Sequence, residues 1–157
     1  MLEIDIPGRA TLRLAHAVLD VNGTIARDGE LLPGVAERLQ SLASILELHL
    51  LTADTHGGQD RIDRELGFPA VRLGTGAGQA ERKAEHVRRL GAEGVVAIGN
   101  GVNDALMLAA AALGIAVVGP EGAAGAAVRA ADVVTPSVEA ALDLLLKPRR
   151  LVATLRA

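Results

Sequence analysis

The sequence predicts an α/β fold: three α/β/α layers around a doubly wound, mainly parallel sheet. Three observations lead there. Short apolar runs of strand character alternate with segments of helical period, and strands that alternate with helices pair in parallel through right-handed crossovers. Several runs (Ala17 to Leu19, Val95 to Ile98, Ile115 to Val118) are apolar at consecutive positions, as strands covered on both faces are. The runs end in polar clusters, Asp20 to Thr24, Thr52 to Asp54 and Asn100 to Asp104. In an open α/β sheet such clusters share the carboxyl edge, where ligands bind. At 157 residues one domain, residues 1–157, is the default expectation.

Leu2 to Ile6 and Thr11 to Leu14 alternate in period two around Pro7-Gly8 and predict a small β-hairpin added at residues 1–15. His16 to Asp20 is the first strand of the sheet, and Gly23-Thr24 turns the chain. Arg27 to Gly34 is turn-rich, Pro33 suits a first helical turn, and Val35, Leu39 and Leu42 carry a helix to about Ser44. Ile45 to Leu51 is the next strand. Gln59 to Leu66 is a polar helix closed by Gly67, and Ala70 to Leu73 is short and β-like. Gly74 to Gly78 is a flexible loop before a helix with Ala80, Ala84 and Val87 inward. Its glycines superficially resemble a dinucleotide fingerprint, but Gln79 stands where the third glycine belongs. Val95 to Ile98 is a strand opening into the Asn100 cluster, where Asn103 and Asp104 suit a helix cap and first turn before Ala105 to Ala112. Ile115 to Val118 is a strand, Glu121 to Ala130 a helix interrupted by glycine, and Val133-Val134 a last short strand. Ser137 caps a helix to Leu146 that Pro148 ends, leaving a basic tail over residues 148–157 that is either helical or frayed.

Composition narrows the function. Phe68 is the single aromatic residue, so a base-stacking platform for nucleic acid is absent, and a net charge of −3 gives no basic footprint. Without cysteine there is no thiol chemistry. The acidic N-terminus does not read as a signal peptide, and the longest uncharged stretch, Ala105 to Pro120, is shorter than a membrane span. A soluble, cytoplasmic protein acting on neither nucleic acid nor membrane is expected. His49 and His86 read as structural, and His56 lies near enough to Thr52-Ala53-Asp54 to reach a site there; Asp54 itself reads as a helix cap.

An Asp before a turn is explained by turn preference alone. The convergence of the clusters at one sheet edge, with Lys83 on the intervening helix, gives Asp20 another meaning. A nucleophilic carboxylate, a hydroxyl, a lysine and a second carboxylate are what phosphoryl transfer needs. In that reading Asp20 attacks phosphorus, Thr52 and backbone N–H groups hold the phosphoryl oxygens, Lys83 offsets their charge, and Asp20 with Asp104 holds Mg²⁺.

D-V-N-G-T, T-A-D, Lys83 and G-N-G-V-N-D resemble the four ordered motifs of the haloacid dehalogenase-like superfamily. The second and fourth are most similar to those of P-type ATPases, and the whole most resembles a capless, soluble P-type ATPase-like hydrolase group. The resemblance implies a Mg²⁺-dependent phosphatase with Asp20 phosphorylated. It implies Asp20, the backbone carbonyl of Asn22, Asn100 and Asp104 on the metal side, and Gly23, Thr24, Thr52, Ala53, Lys83 and Asn103 around the phosphate.

Two departures matter. Asn22 stands where hydrolytic members carry a general acid and base, a loss of about 10²–10⁴ in rate, which favours acyl phosphates or nucleotides over alkyl esters. Asn100 stands where a metal-binding Asp is usual. The substrate expected is a small phosphorylated molecule or a phosphoprotein. The alternative is an impaired phosphate- or partner-binding regulatory module on the same fold. Only residues 21–51 separate the first two motifs, so no nucleotide domain fits there, and a homo-oligomer is one way to cover the open site.

Overall fold

The computed structural model describes residues 1–53 and 58–157. Its centre is a six-stranded sheet, built from β3 (His16–Asp20), β6 (Glu47–Thr52), β7 (Val71–Arg72), β8 (Val95–Gly99), β9 (Leu113–Val117) and β10 (Val133–Thr135). The order across the sheet is β10-β9-β8-β3-β6-β7, and each adjacent pair is parallel. The chain moves outward from β3 through β6 to β7, then returns to lay β8 on the other side of β3. The winding therefore reverses between β3 and β8, and the crevice at the carboxyl ends of those strands is where such sheets take ligands.

Strand period two splits the core into two layers. Ala17, Leu19, Leu50, Val96, Ile98, Ile115 and Val117 face one side. They pack on α1 (Val35–Ala43), α2 (Gln59–Leu66), α6 (Val138–Leu146) and α7 (Pro148–Leu155) through residues such as Leu39, Ile62, Leu142 and Leu151. Val18, Leu51, Val95, Ala97 and Ala116 face the other side. There they meet Val87 of α3 (Gln79–Arg89), Met107 and Leu108 of α4 (Ala105–Ala110) and Ala127 of α5 (Gly125–Ala130). The expected three-layer fold with a mainly parallel sheet is thus the observed one, and the expected hairpin is β1 (Leu2–Ile4) against β2 (Leu12–Leu14).

Two local details differ from the sequence expectation, and a third settles an alternative it left open. The turn-rich stretch contains a hairpin, β4 (Ala26–Arg27) against β5 (Glu30–Leu31), turned by Asp28 and Gly29 at φ 53° and 80°. Two consecutive positive φ values are what a two-residue hairpin turn requires, and Asp-Gly supplies them. Helix α5 begins at Gly125 rather than Glu121. The Ala124 N–H donates to the Asn100 carbonyl at 2.8 Å, and this tertiary bond holds the preceding segment against the β8 loop. The tail is helical: Pro148 does not merely follow α6 but occupies the first turn of α7, where its missing N–H costs nothing, and Leu151 is buried. Ser137 caps α6 as expected, its hydroxyl accepting from the Ala140 N–H at 3.1 Å.

Among the described residues no helix is long and apolar enough to cross a membrane.

Candidate active site

Asp20 is the last residue of β3, and the chain then folds back sharply on itself. The N–H groups of Thr24, Ile25 and Ala26 all donate to the Val21 carbonyl, and the Gly23 N–H donates to the Ala26 carbonyl. Gly23 sits at φ 82°, a conformation natural to glycine, and a Cβ there would collide with the Glu121 carboxylate. This turn carries Asn22 at the rim and Thr24 fully buried beneath it.

From β8 the chain enters a one-turn 3₁₀ helix, Val102–Asp104. Asp104, fully buried, reaches back so that one oxygen, Oδ2, accepts from the N–H groups of Asn100 and Gly101, each at 2.9 Å. Gly99 makes this possible, since a Cβ at that position would occupy the space of the Asp104 carboxylate.

Lys83 joins the two loops. It projects from α3, 2% exposed, and its Nζ donates to Asp20 Oδ1 at 2.6 Å and to Asp104 Oδ1 at 2.7 Å. The Thr24 hydroxyl lies 3.1 Å from both Asp20 Oδ2 and Asn100 Oδ1. The Asn100 amide donates in turn to the Gly122 carbonyl at 3.2 Å. Five of the expected residues, Asp20, Thr24, Lys83, Asn100 and Asp104, drawn from segments far apart in sequence, therefore share one connected network.

The electrostatics follow from burial. Loss of hydration disfavours charge on Asp20, and the facing Asp104 carboxylate adds to this. Lys83 opposes both without cancelling them, and the Asp20 carboxyl is pushed up from 3.8 to about 7. Burial works against the charge on Lys83 as well, but the two carboxylates outweigh it and hold its pKa above the ordinary value. The site thus gathers more negative potential than one lysine neutralises, the setting in which a cation binds.

A cavity of about 440 Å³ opens over this network. Asp20, Asn22, Ala53, Lys83, Asn100 and Asn103 line it, as the sequence led us to expect. Thr52 is buried at the end of β6 beside Ala53, while Thr24 and Asp104 lie fully buried under the cavity. Asp54 and His56 lie outside the described residues.

The sequence reading missed three parts of this wall. Glu121 lines the cavity from the segment read as helix, and Thr75 and Gly76, with Gln79 at the start of α3, line it from the glycine loop. The glycine run was the available signal for the latter, read only against a dinucleotide pattern. Gln79 Oε1 is buried with no hydrogen-bond partner among the described residues, while its Nε2 donates to the Gly74 carbonyl.

Comparison with known proteins supplies the family. The sequence profile of the haloacid dehalogenase-like hydrolases matches residues 2–112. The chain belongs to that family. Among relatives of this haloacid dehalogenase-like hydrolase, an uncharacterized protein of Methanocaldococcus jannaschii is 50% identical over 62 residues, 40% of this chain and 67% of its own. A probable copper-transporting ATPase of Arabidopsis thaliana is 33% identical over 117 residues, 71% of this chain but 11% of the ATPase. Among solved structures, 3-deoxy-D-manno-octulosonate 8-phosphate phosphatase of Moraxella catarrhalis superposes with a TM-score of 0.67 at 21% identity, over 92% of this chain and 95% of that one. That protein was captured with magnesium, phosphate and its sugar; for our hydrolase the likeness carries the fold.

Proposed function

We propose that this hydrolase is a Mg²⁺-dependent phosphatase working through a phosphoryl group on Asp20. One observation carries the reading: Asp20, Lys83, Asn100 and Asp104, brought from two sheet-edge loops and a helix and linked through Thr24, form one buried network beneath a cavity at the switch point of the sheet.

The donor set fits a hard divalent ion. A carboxylate offers about four lone pairs. Asp20 uses one on Lys83 and one on Thr24, leaving two for metal and substrate. Asp104 uses three, on Lys83 and two N–H groups, and keeps at most one. Asn22 contributes its carbonyl and Asn100 its side-chain oxygen. With few protein carboxylates, the rest of the shell falls to water and phosphate, as Mg²⁺ prefers. When bound, the ion draws charge from the phosphoryl oxygens and favours ionised Asp20.

In the first half-reaction an Asp20 oxygen forms a bond to phosphorus while the bond to the leaving group breaks, that group departing with the electron pair. Lys83 holds Asp20 in place and offsets charge on the phosphoryl oxygens. The N–H group of Ala53, with the side chains of Thr52 and Asn103, positions the rest of the phosphate, while the Gly23 and Thr24 N–H groups are spent holding the turn. In the second half-reaction water attacks phosphorus, phosphate leaves, and the Asp20 carboxylate is restored. Asn22 exchanges no proton, so substrates with good leaving groups, acyl phosphates above all, should turn over faster than alkyl esters. The unsatisfied Gln79 oxygen is available to a hydroxyl or amine of a small phosphorylated substrate.

The test is trapping: incubation with Mg²⁺ and acetyl phosphate, followed by mass spectrometry of peptides covering Asp20. A phosphoryl adduct on Asp20 that is lost in Asp20→Asn supports the proposal. Absence of both adduct and Mg²⁺-dependent thermal stabilisation would point instead to a non-catalytic regulatory module.

A further inference from the structure

A second cluster of ligating side chains lies at the other end of the same sheet face. His16 opens β3 and pairs in register with Glu47, while His49, two residues along β6, pairs with Val18. Period two then puts His16, Glu47 and His49 on the face that also carries Asp20, but at the amino edge. His16 and Asp20 are separated by four residues of strand, or about 13 Å.

His16 Nδ1 and His49 Nε2 are 3.2 Å apart. The same Nδ1 is 3.5 Å from one Glu47 oxygen, and the same Nε2 is 3.6 Å from the other. Four-coordinate zinc holds imidazole nitrogen and carboxylate oxygen at about 2.0–2.2 Å, which sets ligand-to-ligand edges of about 3.3–3.5 Å. The three contacts lie within a few tenths of an ångström of those edges, with the carboxylate meeting each ring through a different oxygen. A hydrogen bond between the two rings accounts for one contact only, whereas one cation held by both rings and the carboxylate accounts for all three.

A third imidazole stands beside them. His86, on α3 one turn past Lys83, meets His49 edge to face with ring centroids 5.3 Å apart. Its Nε2 is shielded from water and has no hydrogen-bond partner among the described residues. Access is open, because the Glu47 side chain is 67% exposed while the rings behind it are mostly covered.

We propose that His16, Glu47 and His49 bind a divalent ion of the zinc class, distinct from the ion at Asp20, with His86 or water completing the shell. Two or three imidazoles and one carboxylate select zinc, cobalt or nickel over magnesium, which takes oxygen ligands. Bound there, the ion ties β3 and β6 together, and through His86 the middle of α3, the helix that also presents Lys83.

Cobalt titration tests this independently of the phosphatase reading. The Asp20→Asn protein, stripped of metal and held in excess Mg²⁺, is titrated with Co²⁺ and followed by visible absorption and calorimetry. We expect one equivalent with the intense bands of four-coordinate cobalt, displaced by Zn²⁺, and a rise in melting temperature on Zn²⁺ addition. Glu47→Gln, at an exposed position that leaves packing intact, and His16→Asn should each abolish that equivalent. Failure to bind, the weak bands of six-coordinate cobalt, or binding unchanged in both variants would each overturn the inference. Because Asp20 is absent throughout, none of these outcomes depends on whether the chain is a phosphatase.

Discussion

Replacing Asp20 with asparagine should stabilise the metal-free protein, and by an amount that grows with pH. In the native state the carboxyl is pushed up to about 7 from its ordinary 3.8, burial being the main cause. Below about pH 4 the group is protonated in both folded and unfolded chains and contributes nothing. Between pH 4 and 7 the unfolded chain ionises while the native one retains its proton, so stability falls as pH rises. Above 7 both are ionised and the loss is complete. At about 1.4 kcal/mol per pH unit the whole interval amounts to about 4 kcal/mol. The side chain is 10% exposed, so solvent screening removes little of this. Asparagine has the shape of the protonated acid and does not titrate. Lys83 keeps an oxygen at position 20 and its pair with Asp104.

The assay is urea unfolding of wild type and Asp20→Asn between pH 4 and 8, with a chelator present. All other titrating groups are common to the two proteins, so the difference between them isolates Asp20. It should widen by about 4 kcal/mol across that range in favour of the variant. Repeating the series in Mg²⁺ should shrink the widening, since a metal that takes the place of the proton rewards ionised Asp20. A difference that stays flat from pH 4 to 8 would refute the burial argument, and one that narrows would reverse its sign.

Other consequences can be checked as directly. Asn22→Asp should raise hydrolysis of alkyl phosphate esters by about 10²–10⁴ with little change toward acetyl phosphate, measured as kcat/KM on both substrates. Glu121→Gln should weaken Mg²⁺ binding by about tenfold, equivalent to one charge interaction of about 1.4 kcal/mol near the ion, read by calorimetry. Gly99→Ala should displace the Asp104 carboxylate, seen as a melting-temperature loss larger than that of Asp104→Asn. Ser137→Ala removes the α6 cap and should cost about 1 kcal/mol in denaturant unfolding.

The sheet was readable in the sequence because its central strands are buried on both faces, and burial writes itself as apolar runs that stop at polar clusters. Asp20 and Asn100 could be named from such positions because a parallel sheet brings every carboxyl end to one edge, whereas Lys83, on a helix, was singled out chiefly by the family resemblance. Glu121 was different. Its segment has helix-forming alanines, but the Ala124 bond to the Asn100 carbonyl, a tertiary interaction, delays the helix to Gly125 and leaves Glu121 over the cavity. The hairpin of β4 and β5 was hidden by its size, two residues a side, with only Asp28-Gly29 to announce it. The histidine cluster was hidden by register: His16 and His49 are 33 residues apart, and nothing local tells that they pair in space.

The two asparagines of the site have different physical characters. Asn100 is fitted to its place: its oxygen lies within reach of the Thr24 hydroxyl, and its amide donates to the Gly122 carbonyl. A carboxylate there would lose that donation and face a carbonyl oxygen, so Asn100→Asp asks the 119–124 segment to move. Asn22 has no such side-chain commitment among the described residues; it is half-buried at the cavity wall, and its backbone bridges to Ala26. The missing metal-side charge is also partly present in another form, since Glu121 brings a carboxylate into the same cavity, toward the space above Gly23 that the Asn100 amide also borders. On the proposed mechanism, the metal side would then be served by a neutral residue and by a carboxylate from a different loop, while the acid–base position would have no group able to exchange a proton. Such a site would hold a phosphoryl group without delivering a proton to the leaving group, so leaving-group quality, rather than metal affinity, should set which substrates it turns over.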